Sequence, residues 1–274
     1  MMHDHRWPAE VAQVWRNYVP PNRPSRFELE ICSLEVERLR SSGRRSVKLL
    51  ILGSTTEFRD WAFEESLEAV VVDSSVDYHG AVSAELTHFN PKESVIFSDW
   101  RHMDFDGEFD LVVGDLVVGQ VPLSDYSELL SKIHASIRPG GTFLTKSFFI
   151  CPDREPRDVG ELLKGLRDQT VDPFPHVVYD LAVRCVRSDR VLHFADMIAH
   201  IRELWREGRV TDSQLQRFEG FGWDSAFKVM FTMPTVSEWE SELSHFFPDF
   251  YTTRDPIRPH FSHIPMYTCR TTES

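Results

Sequence analysis

The stretch Lys48–Leu–Leu–Ile–Leu–Gly–Ser–Thr–Thr–Glu57, with Asp73 twenty residues beyond Gly53, decides the fold. It reads as a short apolar strand, a tight loop, a helix, and a second apolar run, Ala69–Val72, that ends on a carboxylate. Continuous apolar runs of this length fit parallel strands covered on both faces. Such a unit opens an α/β sheet in which a nucleotide-like ligand lies against the first loop and the acid faces its ribose. The loop has a single glycine where a dinucleotide fingerprint has three.

Outward from this unit, Val11, Val14, Trp15 and Tyr18 recur at helical spacing, so Ala9–Tyr18 is expected to be helical. Pro20, Pro21 and Pro24 break the chain there, because proline has no N–H and restricts the residue before it. Ser25 is placed to cap a second helix, which carries Phe27, Ile31, Val36 and Leu39 and stops at Gly43. Beyond Asp73, strands are expected at Ser94–Phe97, Phe109–Val113 and Thr142–Phe149, with an amphipathic helix at Tyr126–Ile137 ended by Arg138–Pro–Gly–Gly141. From Cys151 to about Gly222 the pattern shows loops and helices with no clear strand, the best helix being Arg190–Glu207. A helix at Ser237–Phe247 and a strand pair at Phe250–Arg254 and Pro265–Thr271 close the chain. The organisation is thus a helical segment at 1–45, an α/β core at 46–150, a helical insertion at 151–232 and a closing unit at 233–274.

A length of 274 residues with 41% hydrophobic and 27% charged content suits a globular protein with a sizeable core. The net charge of −13 argues against a nucleic-acid partner, which would need clustered Lys and Arg, and favours a small-molecule substrate. The opening Met1–Trp7 lacks the basic and apolar regions of a signal peptide, and no apolar run reaches the roughly 18 residues of a membrane span. Neither a membrane partner nor secretion is expected. Cys32, Cys151, Cys185 and Cys269 lie far apart without zinc spacing, which points to reduced thiols, a cytoplasmic location and no bound metal.

The Gly53 loop, Asp73, Asp99–Trp100 after the third strand, Gly114–Asp115 ending the fourth and Arg138–Gly141 before the fifth form one ordered set. Over residues 46–150, and again in the closing helix and strand pair, the chain resembles the class I S-adenosylmethionine (SAM)-dependent methyltransferases. The resemblance implies a Rossmann-like, seven-stranded, mostly parallel sheet with N-terminal helices and a helical insertion after the fifth strand. It also implies SAM as cofactor. Gly53, Ser54, Thr55 and Glu57 would lie along its methionine and ribose, Asp73 and Ser74 at the ribose hydroxyls, Asp99 and Trp100 at the adenine, and Gly114 and Asp115 at the methyl end. Pyrophosphate needs close backbone approach at two or three glycines. SAM carries no phosphate, so hydroxyl side chains can stand in this loop, which favours SAM over NAD or FAD.

The reacting chemistry is less marked. Tyr18, beside the proline-rich turn, is the candidate lid residue, and Arg26 or Arg23 the candidate for the SAM carboxylate. Asp115, His176, Tyr179 and His193 are the candidate catalytic residues. His193 and His200 are seven apart on the expected helix, where a polar rim is the blander reading. Methyl transfer to a small-molecule O- or N-nucleophile is the expected reaction, by in-line displacement. Transfer or cyclisation of the aminocarboxypropyl group, a non-catalytic SAM-binding module and a NAD-dependent oxidoreductase are the alternatives.

Overall fold

Adjacent residues of each central strand serve opposite cores. Leu50, Leu52, Val70, Val72, Val112 and Phe143 belong to one buried cluster, whereas Leu49, Ile51, Ala69, Val71, Leu111, Val113 and Leu144 belong to another. This two-sided burial is why the runs carry no polar alternation. The structure, a computed structural model, describes residues 9–166, 171–224, 229–256 and 263–272. The opening Met1–Trp7 stretch lies outside the described residues.

Strands β1 (Lys48–Leu52), β2 (Glu68–Asp73), β3 (Glu93–Phe97), β4 (Phe109–Asp115) and β5 (Ile137–Lys146) run parallel, each paired as its neighbours in space require. The closing strands β8 (Asp249–Thr253) and β9 (Met266–Arg270) complete a seven-stranded sheet of order β3-β2-β1-β4-β5-β9-β8, with β9 antiparallel to both neighbours. Helices α2 (Arg26–Ser41) and α3 (Thr56–Glu64) cover one face through Val36, Leu39, Phe58 and Trp61. The other face is covered by α5 (Tyr126–Ser136) and α10 (Val236–Ser244), through Leu129, Leu130, Ile133, Trp239 and Leu243. Helix α4 (Val76–Ser83) follows β2 and packs against α1 (Ala9–Gln13), where Tyr78, Val82 and Ala12 are buried together.

Three expectations are corrected. The helix expected at Ala9–Tyr18 ends at Gln13 and continues as a 3-10 turn at Trp15–Asn17. Strand β5 starts at Ile137, so Arg138–Gly141 lies within it, at a register irregularity opposite Phe109–Leu111, and it ends at Lys146 rather than Phe149. The helix expected from Arg190 starts only at Phe194 (α8, Phe194–Arg206), because Arg190 turns the chain at a φ of +69° and Val191–His193 forms β6, antiparallel to β7 (Met230–Thr232). Three-residue strands carry too little periodicity to be distinguished from a helix start.

The inserted segment also contains α6 (Val159–Gly165), α7 (Phe174–Cys185) and α9 (Asp212–Glu219), around a third buried cluster that includes Phe174, Phe218, Phe221 and Trp223. Its two ends meet where Ile150 bridges Thr235 and donates its N–H to Pro234 O at 2.8 Å. Val11 and Tyr18 are part of the same cluster, so the N-terminal segment and the insertion are packed as one roof. Among the described residues no helix is long and apolar enough to cross a membrane.

At the opposite end of the sheet the fully buried Asp110 ties several segments together. It pairs with Arg44, accepts from Arg138 Nη1 at 3.0 Å, and accepts the Lys48 N–H at 2.8 Å. Losing the acid leaves the partly exposed Arg44 and Arg138 to water and to the carbonyls they already meet, but it forfeits charge-assisted hydrogen bonds and strips the Lys48 N–H of its acceptor. Asp110→Ala is therefore expected to lower stability by about 1–3 kcal/mol. A denaturant midpoint close to the parent's would contradict this.

Candidate functional site

The C-terminal ends of β1, β2 and β4 open onto a single cleft of about 1080 Å³, its mouth included. This is where open α/β sheets hold ligands. After β1, Gly53 adopts a φ of +89°, which L side chains seldom enter, and a Cβ there would stand 3.4 Å from the Trp100 ring. Trp100 is held beside the loop by its indole N–H, which donates to Val72 O at 2.8 Å. Ser54 donates to Asp73 Oδ2 at 2.5 Å, and Ser75 N–H donates to Oδ1 at 2.9 Å. A carboxylate has no proton to give, so the one proton of Ser54 goes to Asp73. His79 Nδ1, 2.9 Å from Ser54 Oγ, then acts as donor. Burial, with Arg59 nearby, keeps the His79 pKa below its ordinary value.

Beyond β3, Asp99 is bound by its own neighbour. Arg101 donates its N–H and Nε–H to Oδ1, each at 2.9 Å, and Nη2–H to Oδ2 at 2.5 Å. The guanidinium keeps the Asp99 carboxyl below the usual carboxylate range. A carboxylate has about four acceptor positions, so one remains open on Oδ2.

The end of β4 carries the most unusual group. Asp115 sits beside Lys146, the last residue of β5, whose ammonium is almost fully buried. Lys146 Nζ donates to Glu28 Oε2 at 2.8 Å and to Arg23 O at 2.9 Å. It lies 3.3 Å from Asp115 Oδ1, near enough for ion pairing but off the line of a hydrogen bond, and Oδ1 has no hydrogen-bond partner among the described residues. Burial pushes the Asp115 carboxyl up to about 7, with Glu28 and Glu57 adding repulsion and Lys146 opposing both. The Lys146 pKa is raised despite its burial, through the charges of Asp115 and Glu28. Glu28 also completes the capping box of α2, accepting the Ser25 N–H at 2.6 Å. The residue after Asp115, Leu116, has a φ of +56°. A residue with a Cβ in the left-handed region costs roughly 1–2 kcal/mol, and such strain persists where the surroundings over-determine it.

The roof closes the cleft from above. Val11, Trp15 and Tyr18 line it on one side, with Phe194 and Phe231 on the other. Trp15 Nε1–H donates to Thr56 Oγ1 at 2.9 Å, and Arg23 pairs with Glu57. Tyr18 donates its hydroxyl proton to Phe221 O at 2.8 Å, and Asn17 Nδ2–H donates to Gly220 O at 2.6 Å.

Of the residues singled out in the sequence, Tyr18, Gly53, Ser54, Thr55, Asp73, Ser74, Asp99, Trp100 and Asp115 line this cleft together. Glu57 stands behind the loop, spent on Arg23 and Thr56. Gly114 lies under the wall, where a Cβ would come within 2.2 Å of Val117. The other four stand apart from the cleft wall. Arg26 projects into solvent from the first turn of α2 and pairs with Glu30 at 3.1 Å. Arg23, its alternative, is committed to Glu57 and to the carbonyls of Trp15 and Tyr18. Tyr179 is buried in the insertion, its hydroxyl donating to Phe149 O at 2.9 Å. His176 lies on the first turn of the same helix, its carbonyl accepting from Arg157, and His193 pairs with Met230 in β6 and stands at the N-cap position of α8 without a side-chain cap bond. His200 lies beside Glu203, at 3.8 Å. Lys146, His79, Leu116 and Asn22 were not singled out. Lysine within the apolar run Thr142–Phe149 was the available signal, since a buried ammonium requires nearby acids.

No protein-family model matches the chain, and no curated protein matches it. Solved structures do resemble it. A Rhodobacter sphaeroides protein, provisionally named a Zn-dependent alcohol dehydrogenase, is 13% identical over 96% of this chain and 98% of its own, with a TM-score of 0.53. A Pyrococcus horikoshii OT3 protein is 16% identical over 97% and 99%, with a TM-score of 0.50. A Nostoc punctiforme protein, provisionally named an O-methyltransferase, is 12% identical over 89% of this chain and 55% of its own, at 0.49. The chain thus spans about half the length of the Nostoc protein. At such identities the likeness is one of fold. With a mostly parallel sheet, one reversed strand and the order β3-β2-β1-β4-β5-β9-β8, the chain has a Rossmann-like fold, the topology that the resemblance to class I SAM-dependent methyltransferases implies.

Proposed function

We propose that the chain is a SAM-dependent methyltransferase acting on a hydroxyl or amine of a small molecule. The observation that carries this reading is the opening of Asp73, Asp99 and Asp115, from the ends of successive sheet strands or just beyond them, onto one cleft. The groups present suit SAM. Ser54 and Ser75 each occupy one lone pair of Asp73, one per oxygen, which leaves one on each oxygen for the two ribose hydroxyls. The open position on Asp99 Oδ2 suits the adenine amino group, and Trp100 supplies a ring beside it. Gly53, Ser54 and Thr55 would hold the methionine portion. When bound, SAM supplies an electrophilic methyl on a sulfonium cation.

The chain's own contribution is positioning and proton removal. Trp15 and Tyr18 offer aromatic faces suited to a cation in a closed site. Asp115, with a pKa raised by burial to about 7, is proposed to take the proton of the acceptor nucleophile. Lys146 keeps a positive charge beside it and so holds the carboxylate form within reach at neutral pH.

Titration of the purified chain with SAM in a calorimeter is expected to show one site. Asp73→Ala is expected to weaken it by roughly 10–100-fold, the worth of one or two hydrogen bonds to a charged group, with the circular dichroism unchanged. Unaltered affinity would place the ribose elsewhere. Product analysis then decides the reaction: S-adenosylhomocysteine supports methyl transfer, whereas methylthioadenosine would replace it with aminocarboxypropyl chemistry.

Asp115→Asn is expected to cut turnover by about 10²–10⁴-fold while retaining SAM affinity. In the parent, turnover should rise with pH through about 7, as the carboxylate form fills. Stability should move the other way. The folded state binds the Asp115 proton up to about pH 7, whereas an unfolded aspartate releases it near pH 3.9, so folding is favoured less as pH rises between these values. Comparing the unfolding free energies of parent and Asp115→Asn at pH 5 and pH 8 isolates this contribution, whose limiting slope is about 1.4 kcal/mol per pH unit. A difference independent of pH would remove Asp115 as the titrating group.

A further inference from the structure

The cleft is chemically divided. Its polar lining comes mainly from the strand ends, from Gly53 to Asp99, and Leu116, Val121, Phe194 and Phe231 supply apolar lining beside Gln120. From that apolar lining a narrow annex of about 290 Å³, its open end included, continues into the insertion. It shares Asn22, Leu116, Phe194 and Phe231 with the cleft, and its remaining walls, among them Phe148, Leu192 and Met197, are all apolar. Among the described residues, Asn22 is its one polar lining residue. Asn22 Oδ1 is buried and has no hydrogen-bond partner among the described residues. An orphaned buried acceptor costs about 1–3 kcal/mol, so a donor is the chemistry this position lacks. The strained Leu116 stands where cleft and annex join, directly after Asp115.

We propose that the acceptor is an uncharged molecule with a narrow hydrocarbon body and a hydroxyl or N–H at one end. This rests on the reading of the cleft as a SAM site with Asp115 at its reacting end. The body occupies the annex and the wall formed by Leu116, Phe194 and Phe231. The hydroxyl or N–H rests on Asn22 Oδ1 at the junction on binding, and turns its proton to Asp115 in the reacting complex, since one proton cannot serve both acceptors at once. Among the described residues no charged side chain lines the annex, so a carboxylate or ammonium on the buried end would lose its hydration without compensation. Polar recognition by one acceptor in an otherwise apolar wall fixes orientation while the hydrocarbon supplies affinity.

Three probes of similar shape test this on the full chain by calorimetry: 4-butylphenol, butylbenzene, which lacks the donor, and 4-(4-hydroxyphenyl)butanoate, which carries a charge on the buried end. The butylphenol is expected to bind about tenfold or more tighter than either of the others. Asn22→Leu should bring butylphenol and butylbenzene to similar affinities. Met197→Trp, which fills the annex, should weaken butylphenol by about tenfold. Should that variant not fold, Ala182→Leu fills the same space with a smaller group. SAM titration of each variant, expected to match the parent, reports folding and the cofactor site independently. Equal binding of the butanoate, or butylphenol affinity indifferent to both the annex and Asn22, would overturn the proposal. A parent that binds butylphenol selectively but not SAM would leave the acceptor pocket standing and remove the cofactor reading.

Discussion

The structure around the cleft depends on one buried ammonium. Taking an ion out of water costs several kcal/mol unless its partners are well placed. Lys146 meets that demand with two carboxylates and a carbonyl from three separate segments: Glu28 at the start of α2, Asp115 at the end of β4, and Arg23 O in the proline-rich turn. The start of α2, the N-terminal turn and the two central strand ends are therefore fixed relative to one another by a single charge. Glu28 reinforces this by acting twice, as capping residue and as counter-ion.

The same arrangement explains why Asp115 differs from the other cleft acids. One cation faces two acids, and Glu28 has the better hydrogen-bond geometry. Asp115 is left with the electrostatic attraction but without the directed bond, in a site that burial makes unfavourable for charge. Asp99, by contrast, has a bidentate arginine and is driven in the opposite direction. Three aspartates on one sheet edge are thereby given different chemistries by what stands behind each of them.

The central sheet was legible because two-sided burial writes itself as Leu49–Leu52 and Ala69–Val72, and because carboxylates directly follow such runs. The cleft lining from Gly53 to Asp115 followed from that order. What sits above the sheet was not legible by the same means. Tyr179 and His193 look available in a polar and aromatic stretch, yet the hydroxyl of Tyr179 is used to join the insertion to Phe149, and His193 belongs to a three-residue strand too short to be recognised. Arg26 and Arg23 differ by a few positions at the mouth of α2, and only the turn between them determines that one faces solvent and the other Glu57. Asn22 and Leu116 gain their meaning from a backbone turn and a missing partner, neither of which has a sequence pattern.

The shared core of the N-terminal segment and the insertion has a kinetic consequence. Tyr18, Phe221 and Trp223 are packed together, and Asn17 and Tyr18 both donate to carbonyls of the insertion. Close-packed interiors are poorly compressible and transmit strain, so the two parts are expected to move together rather than apart. On the proposed reading, the cofactor lies beneath one part of that roof and the acceptor beneath the other. Their exchange with solvent then shares a gate, so that one opening exposes both sites together.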